Sequence, residues 1–189
     1  MSSQIFRERR NALRSVIADG AILLVGTDDA PRNYPANPYP FRQDSHFLYY
    51  VGTNLPGMAL LIEPDGVTTL FGPPEDPDDL IWHGPHPVLT DHAANAGVEN
   101  TADISTLGEK LAALEGAGAK VRYLPPYRAE GVLKLAELLK VSPFEVKAGA
   151  CPELAQAVVV QRSIKTDAEV AEIERALAIS KEMYAAALG

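Results

Sequence analysis

The sequence predicts an α/β domain with a mixed β-sheet flanked by helices, followed by a C-terminal amphipathic helix. Short apolar runs bounded by glycine and turn residues mark strands. Apolar residues at helical spacing mark the helices between and after them. The chain length of 189 residues suits one sizeable domain, burying roughly 70% of its unfolded surface.

In order along the chain, Ile5, Phe6, Leu13, Val16 and Ile17 share one side of a helix from Ile5 to Ala18. Arg7, Arg9, Arg10 and Arg14 take the remaining sides, and Gly20 ends it. AILLVG (21–26) reads as a buried strand. Pro31, Pro35, Pro38 and Pro40 then leave little room for regular structure. FLYYVG, GMALLIE and VTTLFG follow at hairpin spacing, with Pro64-Asp65-Gly66 as a turn, and suggest three antiparallel strands.

The segment GPPEDPDDLIWHGPHPVLTDHAANAG reads as a loop with at most a short helix around Asp78 to Trp82. Beyond it, a helix around Leu107–Leu114, the strand KVRYL, a helix from Glu130 to Lys140 and the strand FEVKA alternate in βαβ fashion. Thr166 and Glu169 form a capping-box pattern. Val170, Ile173, Leu177, Tyr184 and Leu188 then recur on one helical stripe that needs a partner surface.

Charge narrows the function. Acidic residues outnumber basic ones 25 to 17, a formal net charge of −8, and between Arg42 and Lys110 there are eleven acidic residues and no Lys or Arg. Nucleic acid and anionic membranes are bound by neutralising phosphates, so neither is an expected partner. The single cysteine, Cys151, precludes an intrachain disulfide. The arginine-rich amino terminus does not resemble a signal peptide, and no apolar run approaches the ~20 residues of a membrane span. A cytoplasmic protein is expected.

The residues offer candidates for metal, nucleophilic and nucleotide chemistry. His83, His86, Asp91 and His92 lie within ten residues and carry zinc-type donors. Gly84, Pro85 and Pro87 break the helical presentation such spacings rely on, which favours a solvated loop. Ser45 and His46 are adjacent, and neighbours on a strand face opposite ways, so no triad is expected. Cys151 has no evident base, and no P-loop or G-x-G-x-x-G run occurs. In an extended chain Arg42 and Asp44 would share a face and pair, which is an entry bracket more than a catalytic device.

FRQDSHFLYYVG, then PGMALLI, then TLFGPPEDPDDLIWHG resembles the amino-terminal domain of aminopeptidase P, in the creatinase/prolidase group. The matching positions are Arg42, Gln43, Asp44, Ser45, Phe47, Tyr50 and Gly52, with Trp82 and Gly84 downstream. The tail VVQRSIKTDAEVAEIERALAIS resembles the linker and first helix of the family's catalytic domain through Arg162, Lys165, Glu169, Ile173 and Ala176. His46 departs from the acidic residue common there, and Thr53-Asn54-Leu55 replaces an aromatic.

The resemblance implies a creatinase/prolidase-type domain over 1–160 and the start of a truncated pita-bread domain over 161–189. Members hydrolyse the bond before proline with two metal ions, usually manganese, held by two Asp, two Glu and a His. None of those ligands maps onto this chain, so the fragment is expected to be inactive and metal-free. Arg42, Asp44, Ser45, Phe47, Tyr50 and Gly52 are then a structural motif. The domain is expected to cap the active site, to meet proline-containing peptides in the full-length enzyme and to support a homo-oligomer. Trp82 would reach towards a neighbouring subunit's site, against the plainer reading that it anchors a loop on the core. A prolidase domain and a stand-alone binding or oligomerisation module are the alternatives.

Overall fold

The computed structural model describes residues 2–74, 78, 81, 82, 84, 85 and 87–189. The elements are α1 (Ser3–Val16), β1 (Ala21–Val25), α2 (Ser45–Val51), β2 (Ala59–Ile62), β3 (Thr68–Gly72), α3 (Leu89–Ala96) and β4 (Asn100–Asp103). A short 3₁₀ turn then leads into α4 (Leu107–Gly116), β5 (Val121–Tyr123), α5 (Ala129–Leu139), α6 (Pro143–Gly149), α7 (Pro152–Ser163) and α8 (Asp167–Leu188).

The sheet is mixed, in the order β4-β3-β2-β1-β5. β2 runs antiparallel to β1 and β3, while β5 pairs parallel with β1 and β4 parallel with β3. Both faces are covered, so AILLV and ALLI read as continuous apolar runs. Alternate residues serve opposite cores. Ile22, Leu24, Leu60 and Ile62 pack with Leu13, Phe47, Tyr50 and Leu154. Ala21, Leu23, Ala59 and Leu61 pack with Leu107, Leu111, Leu135 and Val146.

Most predicted elements stand, but several differ. FLYYVG is helix, not strand. Asp44 caps it by accepting from His46 N and Phe47 N, and Gly52 closes it at φ 76. Two caps with seven residues between them override the β-preference of Phe, Tyr and Val. The antiparallel partner of β2 on that side is β1 instead.

FEVKA is also helix. Ser142 and Glu145 form a capping box around Pro143 at the first turn. The segment read as loop contains α3, whose Asp91 accepts from Val88 N and whose end turns at Gly97, φ 65. β4 was not predicted, because NTAD is a polar edge strand with little apolar signature. The predicted capping box of Thr166 and Glu169 starts α8. No residue of α8 is buried, including the whole apolar stripe.

Helix α1 departs in a different way. Arg9 and Arg10, read as part of its polar face, are only 6% and 3% exposed. Val16, read as part of its apolar face, is exposed. Arg10 donates to Tyr50 O and Gly97 O, both at 2.8 Å, so its charge satisfies the ends of α2 and α3. Burial, with Arg7 nearby, lowers its pKa to about 10.

Candidate functional site

The FRQDSHF cluster is assembled around Gln43, whose exposure is 0%. Its Oε1 accepts from Thr27 N (2.7 Å), Thr27 Oγ1 (3.1 Å) and Asp44 N (2.8 Å). Its Nε2 donates to Leu55 O at 2.6 Å, and its own N donates to Asn54 Oδ1 at 2.8 Å. One side chain therefore ties the loop after β1 to both ends of α2. Gly26 must be glycine beside it, since a Cβ there would lie 2.7 Å from Gln43 Nε2 and 2.8 Å from Met58 O.

Asp44 divides its two oxygens. Oδ1 accepts from His46 N (2.7 Å) and Phe47 N (3.2 Å), and Oδ2 accepts from Tyr127 Oη at 3.0 Å. With the chain turned into a helix, Arg42 is not paired with Asp44 as expected. It donates to Ser45 Oγ and Gln43 O, each at 3.2 Å. Ser45 is thus an acceptor for a guanidinium, not a nucleophile facing a base. Phe47 and Tyr50 are buried in the core beneath, and burial pushes the Tyr50 phenol far up.

Beside the cluster, at the carboxyl ends of the parallel strands β1 and β5, is a cavity of about 410 Å³. Leu24, Phe47 and Leu135 are among its apolar walls, while Asp44, His46 and Tyr127 contribute polar groups. Lys134 on its wall is paired with Asp28 at 2.7 Å.

The junction between α7 and α8 is pinned to the same region. Tyr50 Oη donates to Gln161 Oε1 (2.7 Å), and Gln161 Nε2 donates to Arg9 O (2.9 Å). Arg9 donates to Tyr49 O at 2.8 Å, stacks over the Tyr49 ring at 3.9 Å and faces Glu169 at 3.3 Å. Arg162 lies 2.9 Å from His46 Nδ1. Sequence reasoning missed Arg9 and Tyr127, whose partners are distant in the chain.

The remaining candidates do not converge. His83 and His86 lie outside the described residues. Asp91 is committed to the start of α3, and His92 sits on that helix. Among the described residues no three His, Cys, Asp or Glu side chains are placed to hold a metal ion. The described residues therefore offer no donor set for the two-metal centre that the resemblance implies, and no step of that chemistry is placed on them. Cys151 is buried, with Sγ 3.4 Å from Glu153 Oε2. Trp82 is 79% exposed and Ile81 is exposed beside it, so neither anchors the core here. Among the described residues no helix is long and apolar enough to cross a membrane.

An α/β domain with a mixed five-stranded sheet, covered on both faces and framed by the Gln43–Asp44 motif, is the class that this geometry defines. The chain belongs to the aminopeptidase P N-terminal domain family, which matches residues 6–122. It is 32% identical over 155 residues to a probable Xaa-Pro aminopeptidase of Aspergillus clavatus, covering 80% of this chain and 31% of that protein. A probable Xaa-Pro aminopeptidase of Chaetomium globosum is 28% identical over 95% of this chain and 29% of its own length. A variant of Escherichia coli aminopeptidase P superposes with a TM-score of 0.63 at 25% identity, over 74% of this chain and 33% of that one. Its zinc-substituted form in complex with product gives 0.62 at 26% identity, with the same coverage. The chain spans about a third of the length of the relatives it matches.

Proposed function

We propose that this chain is the amino-terminal domain of a metal-dependent Xaa-Pro aminopeptidase, which hydrolyses the bond before proline at peptide amino termini. Residues 1–160 form the domain, and 161–189 form the linker and first helix of the catalytic domain. The two divalent ions, manganese by resemblance, belong to that catalytic domain. The amino-terminal domain caps the active-site mouth and supports a homo-oligomer. The observation that carries this reading is the match of most of the chain to one third of Xaa-Pro aminopeptidases.

Trp82 supports the capping role. An indole left 79% exposed, close to Gly84 and Pro85, is available as a rim contact. Stiff flanking residues lower the ordering cost of such a contact. The test uses the longest protein that the gene encodes. It should release the first residue of Xaa-Pro tripeptides in the presence of manganese. Trp82→Ala should weaken binding or turnover of longer peptides and leave the melting temperature nearly unchanged. No hydrolysis of Xaa-Pro bonds would refute the assignment. A large loss of thermal stability with unaltered kinetics would refute the rim role.

A further inference from the structure

We propose that the α7–α8 junction is a pH-conditional latch, in which Arg162 holds the junction to α2 only while the His46 ring is neutral. The contact itself is the argument. Arginine has no acceptor, so the 2.9 Å approach of Arg162 to His46 Nδ1 is an N–H donating to the ring. Nδ1 must then carry no proton, and the ring proton sits on Nε2. Protonating His46 places N–H against N–H and one positive charge against another. The hydrogen bond is lost and the pair repels.

The groups around the ring set the balance. Asp44, on the cap of the same helix, favours the charged ring, whereas burial and Arg162 oppose it. Burial is the largest of these, and the net result holds the pKa below its ordinary value of 6.5. Around Tyr49, one turn along α2, stand Arg9 of α1, Arg162 of α7 and Glu169 of α8. Asp28, Asp29, Tyr127, Arg128, Glu130 and Lys134 share the cavity wall with His46. Asp28 and Lys134 neutralise each other, and Tyr127 donates to Asp44.

The second tie involves no histidine. Against burial, which raises it, hydrogen bonds from Thr166 and the Arg9 charge hold its Glu169 carboxyl below the ordinary value. Arg9, buried on α1, faces Glu169 in the first turn of α8 at 3.3 Å. Gln161 is held by Tyr50 and Arg9 O irrespective of charge. Acidification therefore loosens the stretch between Arg162 and Glu169 without releasing α7 as a whole. The consequence is greater freedom for α8 relative to the sheet.

Hydrogen exchange on the 189-residue chain, corrected for intrinsic rates, reads this directly. Between about pH 7.5 and about pH 5, protection over residues 162–169 should fall about tenfold, the loss of one charge-assisted hydrogen bond. His46→Gln supplies an amide oxygen that accepts from Arg162 at either pH, so its protection should stay flat. Nitrogen chemical shifts of the wild-type ring should show the Nε2–H tautomer at neutral pH. Equal pH dependence in His46→Gln and wild type would overturn the latch. So would an Nδ1–H ring at neutral pH, or a fall spread evenly over the whole chain.

Discussion

Gln43 and Asp44 show how a motif that resembles chemistry can be spent on architecture. Every polar atom of the Gln43 side chain is used inside the fold. Gln43→Ala would leave Thr27 N, Asp44 N and Leu55 O without that partner. We expect a loss of more than about 2 kcal/mol in denaturant unfolding. Asp44→Ala removes only a helix cap and the Tyr127 contact, so about 1–2 kcal/mol is expected, or roughly 2–8 °C in melting temperature. A larger loss for Asp44→Ala than for Gln43→Ala would show that the order of importance is wrong. The motif was legible in sequence, but its central residue was not, since glutamine gives no hint of burial. Arg9 and Arg10 were illegible for a similar reason. Helical spacing places them off the apolar face, and the carbonyls they donate to are 40 and 87 residues away.

At the level of elements, local caps decided the cases where periodicity failed. α2 is too short for a helical period to declare itself, and Phe47, Tyr49, Tyr50 and Val51 favour strand. The signal that could have found it was Asp44 ahead of the run and Gly52 behind it. For α6 the pattern Ser-Pro-Phe-Glu was present and sufficient. The central strands and the helices α4 and α5 were legible because burial on both sheet faces imposes strong apolar patterns. Gly52 also provides a test of α2. A Cβ there would meet Phe6 Cζ at 2.2 Å, on a backbone at φ 76. Gly52→Ala should destabilise by about 2 kcal/mol or more. Unchanged stability in Gly52→Ala would mean that α1 and α2 do not pack as described.

For the molecule as a whole, two expectations follow from what is exposed and what is buried. His46 has a depressed pKa, so its contribution to stability is complete above its ordinary value of 6.5. As pH falls from there to the depressed value, the unfolded chain binds the proton first and stability declines. A melting temperature that rises on acidification from neutral pH would contradict this. The stripe Val170, Ile173, Leu177, Tyr184 and Leu188 is exposed throughout, and a lone helix of this length is only marginally stable. Amides beyond the first turn of α8 should exchange readily in a dilute monomer. Strong protection from Val170 to Leu188 would show that the chain covers the stripe by itself.

The central proposal is that this domain belongs to an Xaa-Pro aminopeptidase whose chemistry resides in other residues. Elemental analysis combined with an Xaa-Pro peptide assay on the purified 189-residue chain tests it most directly. The account predicts no stoichiometric manganese, zinc or cobalt after dialysis, and peptides left intact. About one bound metal per chain together with cleavage before proline would contradict it.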